Sequence, residues 1–170
     1  MSWLTILLRV LHIGGGVFWA GATFAFAGFV EPTATQAGPE GGRFMQRMTG
    51  GRYVPVMTAA GIVTILSGLW LFWLDSGGFQ PEFMGSRFGV TLSIGGLCGL
   101  LAAVVAFGLQ GRNAARMQAV GRAAEGRAGG PAPDQLAQLE VLRGKLRTGA
   151  RLTALFLGLA VLCMAVARYL

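Results

Sequence analysis

The stretch WLTILLRVLHIGGGVFWAGATFAFAGFV, residues 3–30, decides the fold of this chain. Its 28 residues carry one charge, Arg9, and the chain's single histidine, His12. A backbone crossing about 30 Å of hydrocarbon has to satisfy every N–H and C=O internally, which takes about 20 apolar residues in a helix. At about 1.5 Å per residue this stretch reaches about 42 Å, so as a span it tilts or protrudes, and it is expected to stop at Glu31-Pro32. A cleaved leader is the competing reading, with Ala25-Phe26-Ala27 as its small-residue site. The lack of a basic start, the charge in the middle and the length all speak for a retained span.

Three further stretches pass the same test: Val54 to Leu74, Phe88 to Leu109 and Leu152 to Ala167. Pro55 falls in the first turn of the second, where a missing amide breaks no helical bond, and Trp70 and Trp73 mark its far end. Composition agrees, with 54% of residues hydrophobic and 12% charged and a mean hydropathy of +0.59. That excludes a disordered chain and does not suit a soluble domain. Cys98 and Cys163 both lie inside apolar runs, which excludes a disulfide scaffold. The expectation is an all-α fold, an integral-membrane antiparallel four-helix bundle, forming one domain over residues 1–170 in contact with the lipid bilayer.

Charge sets the orientation. The loop after the first span holds Arg43, Arg47 and Arg52; the loop after the third holds Arg112, Arg116, Arg122, Arg127, Arg143, Lys145, Arg147 and Arg151. By the positive-inside rule both loops are cytoplasmic, which leaves both termini and the loop from Asp75 to Arg87 outside. The basic excess thus has a topological cause, and no nucleic-acid partner is inferred from it. Within the cytoplasmic loop 110–151, Gly121 to Pro133 reads as a flexible linker and Asp134 as a helix N-cap. Leu136, Leu139, Leu142 and Leu146 then recur near helical spacing, predicting an amphipathic helix that leads into span four. Such a helix lies against acidic lipid headgroups or docks a partner.

The first span also carries the candidate chemistry. At a helical period Thr5, Arg9, His12, Gly16, Trp19 and Thr23 share one face. Polar residues in a span face the bundle interior and mark a cofactor, an ion path or a buried pair. A second face, Gly14, Phe18, Gly21, Ala25 and Gly28, is expected to pack closely on a neighbouring helix. His12 is a candidate axial ligand to haem iron, a copper ligand or a proton carrier. Gly16, one turn away, leaves flat space for a porphyrin, and Arg9 is placed to pair with a propionate. The other reading is that His12 bonds a carbonyl or threonine across the bundle while Arg9 reaches the headgroups.

The remaining signals are plainer. Met45, Met48 and Met57 offer soft sulfur but read as packing. Thr58, Thr64 and Ser67 with Gly61 and Gly68, and Thr91 and Ser93 with Gly95, Gly96 and Gly99, read as small-residue interfaces tied by hydroxyl hydrogen bonds. No acidic residue lies within a span, which argues against a proton-coupled transporter. No phosphate-cradling loop, catalytic triad or cysteine metal knuckle is present.

The segment Leu11-His12-Ile13-Gly14-Gly15-Gly16-Val17-Phe18-Trp19-Ala20-Gly21 resembles the first-span signature of two related groups of small bacterial membrane proteins. These are the CopD-type copper-resistance membrane domain and the HemJ-type protoporphyrinogen oxidase. Both show a histidine followed seven positions later by tryptophan and then a glycine-containing turn, within a bundle of at least four spans. The stretch from Thr64 to Gly68, with Arg87 and Asn113, extends the likeness. With the charge pattern, the resemblance implies a bacterial inner (cytoplasmic) membrane protein with both termini periplasmic. It also implies haem b, or copper, at His12, with Arg9, Gly16 and Trp19 around it. Arg87 stands where the HemJ type has a basic residue, typically lysine, and the further histidines of both groups have no counterpart here.

Two functions compete on this reading. One is a redox or metal-handling protein that holds haem b or a metal through His12. The other is a non-catalytic accessory subunit or assembly factor that works by contact with a larger membrane complex and whose polar stripe is helix glue; a homodimer belongs to the first reading, two protomers each supplying His12 to one haem. Haem b gives an intense Soret absorption and a packing histidine gives none, so colour separates them.

Overall fold

A computed structural model describes residues 2–125 and 132–170, and these form helices and short connections with no strand. α1 covers Trp3–Gln36, α2 Gly38–Gly50, α3 Tyr53–Asp75 and α4 Pro81–Gly85. α5 starts at Arg87 and continues to Glu125, and α6 covers Pro133–Ala167. Four of them, α1, α3, α5 and α6, are long and apolar enough to cross a membrane. The architecture is the all-α four-helix bundle of a multi-pass membrane protein, with α1 packed on α3, α5 on α6, and α6 also touching α1.

The distribution of side chains follows from lipid as the solvent. Val17, Leu66, Leu97 and Leu162 are all more than half exposed. In hydrocarbon they gain nothing by leaving the surface, so helix association rests on close packing, which small residues allow. The core accordingly gathers Ala20, Ala102, Trp19 and Leu157. Trp3, Trp70, Trp73 and Tyr169 are exposed at the end that carries both termini, where amphipathic rings favour the headgroup level.

The helices outlast the apolar runs that predict them. α1 does not stop at Glu31-Pro32: it passes through a π-helical turn at Phe26–Val30 and carries on through Pro32 to Gln36. In the wide turn the amide of Glu31 bonds the carbonyl of Phe26, five residues back. Widening leaves one carbonyl without an amide, and Pro32, which has none to give, takes that position. α5 likewise runs past Leu109, through a second wide turn at Val104–Gln110.

The linker reading therefore fails over Gly121–Glu125, which is helical; residues 126–131 lie outside the described residues. Asp134 is not the N-cap of α6. Ala132 holds that place, Pro133 opens the helix, and the Gln135 side chain accepts the Ala132 amide at 3.0 Å. The predicted amphipathic helix does run unbroken into the fourth span. Its leucine stripe turns inward, with Leu142 buried and Leu139 and Leu146 partly so, while Leu136 stays exposed. The buried part of the stripe packs within the protein, where α6 meets the tail of α5.

At the opposite end, α3 reaches α4 through a tight corner. Gly77, Gly78 and Phe79 all have positive φ, at 61°, 81° and 66°. Glycine accepts that conformation freely, and Phe79 is held in it by its amide bond to Ser76 Oγ at 2.9 Å.

Candidate functional site

The polar stripe of α1 meets α3 along its length. His12 donates from Nδ1 to the carbonyl oxygen of Thr64 at 2.8 Å; a carbonyl only accepts, so Nδ1 carries the proton. The ring lies directly on Gly68, where a Cβ would fall 2.6 Å from His12 Cε1 and 2.8 Å from Nδ1. One turn further from the N-terminus, a Cβ on Gly15 would stand 2.7 Å from Thr64 Oγ1. Gly15, His12, Thr64 and Gly68 thus form an interlocked set in which the absent side chains let two backbones approach.

The neighbours on the stripe are also engaged. Trp19, 2% exposed, stacks on Phe107 of α5 with ring centroids 5.8 Å apart. A Cβ on Gly61 of α3 would sit 3.2 Å from Trp19 Cε2 and collide with the Phe107 ring. Gly16 lies against the methyl of Thr64, 3.5 Å from its own virtual Cβ. Arg9 pairs with Asp75 at the end of α3, at 3.8 Å with both side chains well exposed, while Thr5 bonds Ser2 in the first turn. Thr23 bonds back to the Trp19 carbonyl at 2.8 Å.

Of the residues singled out in α1, His12, Gly16, Trp19 and Thr23 lie on its inward face and Arg9 at its exposed end, and the glycine face does not pack as expected. Gly14, Gly21 and Gly28 have nothing within 4 Å of a virtual Cβ, and Phe18 is 51% exposed. Close approach to α3 is made instead by Gly15 and Gly16, because Thr64, Gly61 and Gly68 line the facing helix. Hydroxyl hydrogen bonds are present, and they run within the helices. Thr64, Ser67, Ser93 and Thr153 bond carbonyls of their own helices, four residues back.

Two clasps fasten α6 to its neighbours near the wide turns, and both escaped the sequence reading. Arg147 donates from Nε to Glu31 Oε1 at 2.6 Å and from Nη2 to Thr35 Oγ1 at 3.0 Å, and Thr35 donates to the same carboxylate at 3.0 Å. Gln110 donates to Thr153 Oγ1 at 2.8 Å, in the space left by Gly149. The available signal was a polar residue just beyond the end of an apolar run, at Glu31 and at Gln110.

As a holder of haem or metal, the arrangement offers one nitrogen. With Nδ1 given to a carbonyl, His12 Nε2 is the free position, the orientation that metal-bound imidazoles commonly have. Arg9, Gly16 and Trp19 are occupied by Asp75, Thr64 and Phe107 in turn. Among the described residues no group of three His, Cys, Asp or Glu side chains converges. His12 Nε2 is therefore the one imidazole nitrogen that the stripe could offer to a haem iron or a copper ion. Met57 packs against the Trp19 cluster. Comparison of the chain with protein-family models, with curated proteins and with solved structures finds no match.

Proposed function

We propose that this chain is a non-catalytic accessory subunit or assembly factor of a bacterial inner-membrane complex, with both termini periplasmic. One observation carries the reading: the polar stripe of α1 is used up in holding the bundle together, His12 on the Thr64 carbonyl, Arg9 on Asp75 and Trp19 on Phe107. A stripe so engaged acts as interhelical glue. The orientation rests on the basic residues of α2, of the tail of α5 and of the start of α6 lying at the end away from the termini.

A second reading is favoured by the Nδ1 bond alone. It keeps Nε2 of His12 free as an axial ligand to haem b, in line with the first-span resemblance to the CopD and HemJ types. Haem bound there would supply one-electron redox chemistry. The absorption spectrum of protein purified from its own membranes decides between them. The accessory reading expects colourless protein that migrates with larger partners in mild detergent; a Soret band lost in His12→Ala overturns it. For orientation, Gly144→Cys in a background lacking Cys98 and Cys163 should resist an impermeant thiol reagent in intact cells while Gly85→Cys reacts, and the reverse pattern refutes it.

A further inference from the structure

Where α1 leaves the bundle and turns into α2, an open groove of about 470 Å³ is lined by Phe29, Val30, Ala34, Ala37 and Phe44. Glu40 is the only charged residue in that lining. Phe29 is 74% exposed and Phe44 53%, far more apolar ring surface than a site bathed in water would present. The depth is fixed by the chain. Phe29 and Val30 are the last residues of the apolar run, and Tyr53, which opens α3, stacks on Phe26 one turn earlier with centroids 5.6 Å apart. The groove therefore opens at the level where the spans leave hydrocarbon.

Beside it stand Arg43 and Arg47, both exposed and one turn apart on the outward face of α2. Among the described residues the ion pairs are Arg9 with Asp75 and Arg147 with Glu31, so neither arginine of α2 has a carboxylate partner. Phe44 and Arg47, three positions apart, are neighbours on the helix surface. From 40 to 52 the chain carries three arginines against Glu40. A surface with apolar rings on its bilayer side and unpaired guanidinium groups at headgroup height has the two halves of a phospholipid as its complement.

We propose that this corner is a binding site for an anionic phospholipid, one acyl chain lying against Phe29 and Phe44 and the phosphate held by Arg43 and Arg47. The site lies away from the His12 stripe and does not rest on the accessory reading.

Native mass spectrometry of the intact, delipidated protein, offered phosphatidylglycerol and phosphatidylcholine in equal amounts, tests the site. Wild-type protein should retain phosphatidylglycerol in preference. At about fivefold per basic residue near a headgroup, Arg43→Gln with Arg47→Gln should lower that preference roughly tenfold or more. Arg112→Gln with Arg116→Gln removes the same charge from α5, also on the basic side, and should leave the preference in place. Phe44→Ser should reduce retention of both lipids. All five positions are exposed, so melting in detergent should not change for any variant. The proposal is overturned if the α2 pair keeps the wild-type preference, if the α5 pair loses as much, which would show diffuse charge alone, or if Phe44→Ser retains lipid fully.

Discussion

On one side of α1, Gly15 and Gly16 lie against Thr64 and the His12 ring rests on Gly68; on the other, Gly14, Gly21 and Gly28 face open space. Both sides are rich in glycine, and by spacing the second is the more regular, a glycine every seventh residue. What separates them is the partner. α3 carries its own seven-residue pair, Gly61 and Gly68, and presents it to Trp19 and His12, so the large side chains of one helix fill the gaps of the other. A glycine matters to packing only where the facing helix supplies something to fill its place.

The contrast can be broken by substitution. Gly61→Leu should have the largest effect, because a side chain there meets both Trp19 and Phe107. Overpacking of that kind costs about 1–3 kcal/mol or more, read as a steep fall in the thermal midpoint in detergent. An unchanged midpoint would mean that Trp19 is not packed at the centre. His12→Ala should come next, since it removes the bond between α1 and α3; an interhelical bond in a membrane protein contributes on the order of 0.6 kcal/mol, up to about 1.7. Replacing it with Gln, which also donates, should recover part of that loss.

Arg9→Gln should follow, with an effect below about 1 kcal/mol that disappears in high salt, as for other exposed ion pairs. Gly21→Leu should change the midpoint least, because its side chain would enter open space. A loss as large as that of Gly61→Leu would show that a further helix covers this side of α1 in the purified protein.

The same contrast marks how far the sequence could be read. Four spans and the inward turn of His12, Gly16 and Trp19 were legible, since hydropathy and the expense of burying polar groups in lipid each point one way. The choice between two glycine-bearing sides was not, because it depends on residues of α3 that only the folded bundle brings opposite. Helix ends were misread at Pro32 and at Gly121 for a local reason. Hydropathy reports where lipid ends, whereas the backbone carries on as long as its own hydrogen bonds can be made, and a wide turn makes them even beside a proline.

The wide turn at Phe26–Val30 also sets the phase of α1. In an unbroken α-helix each residue advances by about 100°, so Glu31 and Thr35 would be carried well to the side of the line through His12, Trp19 and Thr23. One extra residue in the turn rotates everything after it back by about that angle. Glu31 and Thr35 return to the line, and there they meet Arg147 of α6. The bulge is thus a phase corrector that keeps one inward side along the whole of a 34-residue helix. By the same reasoning, deleting the one extra residue would close the bulge into regular helix and keep Glu31 facing its arginine, whereas deleting a residue from the regular helix before it would swing Glu31 away.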